Sequence, residues 1–129
     1  HHFPDTEINN RQRILKINHL ISQHEEKLAN MVLDFLNTKK NIRIIGKKIS
    51  HNKNRAPTIS FTVDGRSSKN ICDHLVKNNI GIRNGNFYAW RILKALGIDQ
   101  EDGVIRASMV HYNSEKEVTS LINALDKIL

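Results

Sequence analysis

A single cysteine, Cys72, stands in 129 residues, which excludes an internal disulfide and a zinc site built from several thiolates. Aromatic residues make up 5% of the chain, too few for the stacking platforms that single-stranded nucleic acid requires. No apolar run approaches the ~18 residues that span a bilayer, and no signal-peptide core precedes the first helical pattern. A cytoplasmic chain without a membrane partner is therefore expected. Neither a phosphate loop of the G-x-x-x-x-G-K-[ST] kind, nor a Ser/His/Asp order, nor a defined carboxylate pair is present, and no metal site is expected.

What is there suits one domain with a modest core. The hydrophobic share is 39%, the charged share 26% and the net charge +7. His1–His2 reads as a tag remnant, residues 3–129 as a single domain, and the lack of an initiator Met as the mark of an excised piece. The positive charge is uneven: Lys39, Lys40, Arg43, Lys47, Lys48, Lys53 and Arg55 follow one another with no acid between them. Such a cluster can grip phosphates. Without interleaved aromatics or a motif it is better read as a solvated loop around Ile49–Asn54, so nucleic acid is disfavoured.

Apolar residues at Ile14, Ile17, Ile21, Leu28, Met31, Val32, Phe35 and Leu36 predict one long amphipathic helix over 9–37. His19 and His24 fall beside this stripe as packing or boundary residues. A short strand over 41–46 and a clearly alternating one over 58–63 come next, with Asp64–Gly65 as a turn. Ser67 or Ser68 caps a helix carrying Ile71, Cys72, Leu75 and Val76 inward, which makes Cys72 a core residue rather than a nucleophile. Gly81–Arg83 reads as a strand, Tyr88–Leu96 as a short helix stopped at Gly97, and Val104–Val110 as the best strand. Ser114 and Glu117 form a capping box that starts the last helix. The order α-β-β-α-β-α-β-α implies an α+β fold, a small mixed or antiparallel sheet covered by helices on one side.

Two of these strands carry an arginine, Arg83 and Arg106. A guanidinium in a strand needs an anionic partner when it is buried. For Arg106 the planar fork can clamp a ligand carboxylate through two oxygens, or it can pair with an acid such as Asp102. From the residues alone the two are equally weighted.

The ordered series Arg55-x-Pro57-Thr58-x-Ser60-Phe61, Gly81-Ile82, Gly85-x-x-Tyr88-Ala89 and Val104-Ile105-Arg106-Ala107-Ser108-x-Val110-His111-Tyr112-Asn113-Ser114-x-x-Glu117 resembles one family. It is similar to the C-terminal small domain of class V aminotransferase-fold, pyridoxal-phosphate-dependent enzymes, in their cysteine desulfurase-like branch. The likeness runs from about Arg11 to Leu129 and is most specific after Arg55.

The resemblance implies a larger domain with a seven-stranded sheet, in which a lysine binds pyridoxal phosphate covalently. It also implies a homodimer of the full-length chain, an amino-acid substrate, and a fragment that is inactive alone. It places the substrate-carboxylate arginine at Arg106 and the active-site loop at Gly85–Ala89, with Asn86 and Tyr88 shaping the pocket. In desulfurases that loop reads G-x-x-C-A. Tyr88 stands at the cysteine's place, and a phenol cannot accept sulfur as a thiolate does. Cys72, on the preceding helix, cannot replace it. The loop histidine is also missing, with Asn86 or Phe87 in its stead, and Arg83 falls at an often polar position as a further candidate substrate contact. The alternative from another class is a free-standing basic α+β module that binds nucleic acid or an acidic partner.

Overall fold

The computed structural model describes residues 9–51 and 54–129. The elements, in chain order, are α1 Asn10–Asn37, β1 Ile42–Ile45, β2 Thr58–Val63, α2 Ser68–Val76, β3 Arg83–Gly85, α3 Trp90–Ala95, β4 Val104–Ser108 and α4 Glu115–Asp126. The predicted order and the helix-covered antiparallel sheet are both present. The four strands lie in the order β1-β2-β4-β3, every neighbouring pair antiparallel.

Alternation along the strands sorts the two faces of this sheet. In β2, Ile59, Phe61 and Val63 are buried, and in β4 Ile105 and Ala107 are buried beside them. The register sets Ile59 opposite Ala107 and Phe61 opposite Ile105, so these residues share one face. Leu28, Ala29, Val32, Leu33 and Leu36 of α1, Ile71, Cys72 and Leu75 of α2, and Val118, Leu121 and Leu125 of α4 close over that face as a single cluster. Leu93 of α3 and Val104 are also buried but lie outside this cluster. The opposite face is more polar: Ile45, Ser60, Arg106 and Arg83 form one row across the four strands.

Caps set the helix starts. Asn9 with Gln12, and Ser114 with Glu117, form complete capping boxes, and the Ser67 side chain accepts from the Asn70 amide. Only the second half of α1 reaches the core. Ile14, Leu15, Ile17 and Leu20 are exposed among the described residues, so the helical period holds along the whole helix but its burial stops near Ile21. His24 does the boundary work expected of it: its Nε2 lies 2.7 Å from the Asn113 carbonyl oxygen and ties α1 to the turn before α4.

Several expectations need correction. Val76, expected inward, is exposed at the last residue of α2, and β4 ends at Ser108 rather than Val110. The third strand is Arg83–Gly85 rather than Gly81–Arg83, because Gly81–Ile82 runs beside β4 without pairing and the ladder begins at Arg83↔Arg106. The basic loop is not solvated throughout. Ser50 is buried, with its amide and carbonyl both bonded to the Asn30 side chain at 2.8 Å, and the Lys48 carbonyl accepts from Asn37. Lys53, expected in that cluster, lies outside the described residues.

Candidate functional site

The site grows out of one contact between glycines. Gly103 has a left-handed φ of +68°, and a Cβ built on it would lie 2.1 Å from the Gly85 carbonyl carbon and 2.2 Å from its oxygen. Only a residue without a side chain lets the two backbones meet there. This contact presses the end of β3 against the start of β4. The chain then leaves β3 through Asn86–Ala89, where Phe87 and Tyr88 take successive left-handed conformations, φ +49° and +62°.

That conformation is costly for bulky residues, of order 1–3 kcal/mol each, and persists only where the surroundings fix it. Asn86 supplies much of the fixing. Its Oδ1 accepts from the Tyr88 amide at 3.0 Å, and its carbonyl accepts from the Ala89 amide at 2.8 Å. The Gln100 side chain donates to the Trp90 carbonyl at 2.7 Å, which clasps the loop to the acidic turn.

The result is a platform for Arg106. Its guanidinium carbon sits 3.7 Å from the centroid of the Phe87 ring, a distance at which a cation is attracted to the ring face. Arg106 is half-buried, on the face opposite Ile105 and Ala107. Among the described residues no carboxylate pairs with it. Asp102, the acid that could have done so, is committed elsewhere. Its carboxylate accepts from the Ser68 amide at 2.7 Å and the Ser67 hydroxyl at 2.8 Å, capping α2 from across the fold. Burial alone would raise the Asp102 pKa, but the bonds from Ser68, Ser67 and Lys69 outweigh it and hold the carboxyl below its ordinary value.

The remaining candidates fall around this centre. Arg83 is the direct cross-strand partner of Arg106, exposed, and without a carboxylate partner among the described residues. Like charges so placed disfavour each other by roughly 0.2–1 kcal/mol. Tyr88 is 98% exposed and points away from any packing, whereas Asn86 is half-buried and acts on the backbone. Cys72 is buried on α2, and its thiol is pushed up to about 11 by burial, with Asp73 and Asp102 nearby adding to the effect. A thiol in that state is a core residue and a poor nucleophile. The stacking role of Phe87 is not apparent from the sequence; its place between the loop's glycine and alanine is the available signal.

Half of the described residues of the basic cluster are engaged inside the domain. Lys39 pairs with Asp126 at 2.6 Å, Arg43 donates to the Leu96 carbonyl at 2.8 Å, and Arg55 donates to the Lys47 and Thr58 carbonyls. Among the described residues no helix is long and apolar enough to cross a membrane, and no group of three or more metal-ligating side chains occurs.

This arrangement of sheet and covering helices recurs in known enzymes. The chain superposes on the apo structure of a cysteine desulfurase from Thermococcus onnurineus with a TM-score of 0.74 and 28% identity, over 84% of this chain and 26% of that one. The Aminotransferase class-V family profile matches residues 14–121. The chain belongs to this family, of the fold-type I pyridoxal-phosphate-dependent enzymes. Among curated relatives it is 36% identical over 110 residues to an aminotransferase-like protein of Gibberella zeae, covering 84% of this chain and 27% of that protein. It is 31% identical over 115 residues to a cysteine desulfurase-like protein of Aspergillus flavus, covering 84% and 26%. The chain thus spans about a quarter of the length of these relatives.

Proposed function

We propose that this chain is the C-terminal small domain of a pyridoxal-phosphate enzyme acting on an amino acid, and that Arg106 binds the substrate's α-carboxylate. One observation carries the reading: a half-buried guanidinium, stacked on Phe87, has no acid partner among the described residues. Asp102, the acid weighed as its partner, is bonded to α2 instead. A fork of donors so held matches the two oxygens of a carboxylate.

The residues present fit the substrate's side of such an enzyme. Holding the cofactor falls to the three-quarters of the relatives' length that this chain does not span. When bound, pyridoxal phosphate serves as the electron sink that weakens a bond at the substrate's α-carbon. Arg106 fixes which way the amino acid lies, and so which bond is presented. The Asn86–Tyr88 loop, with its left-handed backbone, walls the pocket over the side chain. With Tyr88 where a desulfurase has its thiolate, and Cys72 buried with a raised pKa, the described residues offer no thiolate for persulfide formation. The 129-residue chain alone is inactive, and the full-length enzyme is a cytoplasmic homodimer.

The test is an absorption spectrum of the full-length protein with and without amino acids. Binding of pyridoxal phosphate, and a change of its visible band on adding an amino acid, is the expected result. A full-length protein that takes up no cofactor overturns the reading.

A further inference from the structure

The turn that carries Phe87 breaks a local rule. The Asn86 carbonyl accepts from the Ala89 amide at 2.8 Å, closing a tight turn whose central residues, Phe87 and Tyr88, are left-handed at φ +49° and +62°. Turns with positive φ at both central positions ordinarily hold glycine, asparagine or aspartate there. Strain of this kind persists where another part of the fold requires it. Tyr88 offers no compensating contact, since its side chain is 98% exposed. Phe87 does: its half-buried ring centroid lies 3.7 Å from the guanidinium carbon of Arg106.

That separation brings the planar guanidinium onto the face of the ring. A ring holds a guanidinium in a way that a hydrogen bond cannot. It takes the flat face and leaves the in-plane N–H donors unspent, whereas a carbonyl or carboxylate partner would use the donors that a ligand's two oxygens need. Among the described residues no ion pair or side-chain hydrogen bond ties Arg106, so the Phe87 ring is what restrains the fork there. We infer that Phe87 is a positioning residue that sets specificity: its ring, held by the left-handed turn, aims the Arg106 fork and makes the site select amino acids over amines that lack a carboxylate. This rests on the reading of Arg106 as the α-carboxylate site. Without the ring the guanidinium would sample several rotamers, and each binding event would first have to order it.

The experiment titrates L-alanine and ethylamine, which differ by the carboxylate alone, into the full-length chain loaded with pyridoxal phosphate, followed by the cofactor's visible absorption. Wild type should prefer L-alanine. Phe87→Leu is expected to cut that preference roughly 5- to 30-fold by weakening L-alanine, with ethylamine changed by no more than about twofold. Phe87→Tyr, which keeps the ring, should retain the preference within about twofold. Phe87→Asn suits the left-handed backbone, so it should fold as wild type does by circular dichroism and still lose the preference. Equal weakening of both ligands by Phe87→Leu, a preference left intact by both Phe87→Leu and Phe87→Asn, or an equal loss in Phe87→Tyr overturns the inference. Arg106→Lys separates the two readings. If it leaves the preference for L-alanine intact, the α-carboxylate assignment itself fails; if it removes the preference while Phe87→Leu does not, only the role of Phe87 falls.

Discussion

Replacing Gly103 with alanine tests the contact on which the whole site is built. Gly103 and Gly65 share nearly the same backbone, φ +68° and +70°, but differ in what surrounds them. Around Gly65 nothing lies within 4 Å of an added Cβ, so Gly65→Ala brings only the left-handed penalty, roughly 1–2 kcal/mol. Part of that is offset because alanine narrows the unfolded ensemble by about 0.4–1 kcal/mol. At Gly103 the same methyl meets three Gly85 backbone atoms between 2.1 and 2.6 Å. No side chain can swing aside, so β3 must back away from β4. Forcing an atom into such packing costs about 1–3 kcal/mol more. Urea unfolding of the two variants at unchanged m-value reads the difference directly. Gly103→Ala should lose roughly 2–4 kcal/mol and Gly65→Ala about 1 or less. Equal losses in the two variants would refute the account of the glycine contact.

Two other consequences are open to measurement. Asp102→Asn should cost about 1 kcal/mol, as loss of a charged helix cap does. Because folding depresses the Asp102 pKa, its contribution is complete above the ordinary carboxylate value of about 3.9. It fades as pH falls through that value toward the folded one. The stability gap between wild type and Asp102→Asn should therefore shrink below about pH 4, and a gap constant from pH 7 to pH 3 would contradict the capping role. Cys72, buried with its thiol pushed up to about 11, should resist iodoacetamide at pH 8 in the folded chain and react promptly in urea. Cys72→Ser should leave turnover of the full-length enzyme nearly unchanged, and loss of turnover with the fold intact would restore Cys72 as a candidate nucleophile.

Periodicity made most of the architecture legible. The alternation of Thr58–Val63 gave β2 to the residue, and the Ser114–Glu117 pair gave the start of α4. Patterns of this kind fail where burial depends on what packs nearby. The apolar stripe of α1 continues through Ile14 and Ile17, which the described residues leave uncovered. The position of β3 is not legible because a three-residue edge strand is set by its partner, and Gly81–Ile82 looks as strand-like as Arg83–Gly85. In the site, an arginine strand and a glycine-punctuated loop could be read, but two equal fates for Arg106 could not be separated. What removes the Asp102 pairing is tertiary: Asp102 bonds the amino end of α2, 34 residues away along the chain, and Phe87 rises under the guanidinium. No local pattern encodes either contact.

The most direct measurement of the central claim is Arg106→Lys in the full-length enzyme, with turnover and unfolding followed on the same preparation. Lysine keeps the charge but loses the two-pronged geometry. With no protein acid depending on Arg106 among the described residues, unfolding free energy should change by no more than about 1 kcal/mol, the worth of its stacking on Phe87. The value of kcat/KM should fall by roughly 2–4 kcal/mol of transition-state binding, the range for a desolvated charge pair. A domain that unfolds on Arg106→Lys while turnover is spared would show Arg106 to be architectural and contradict the account.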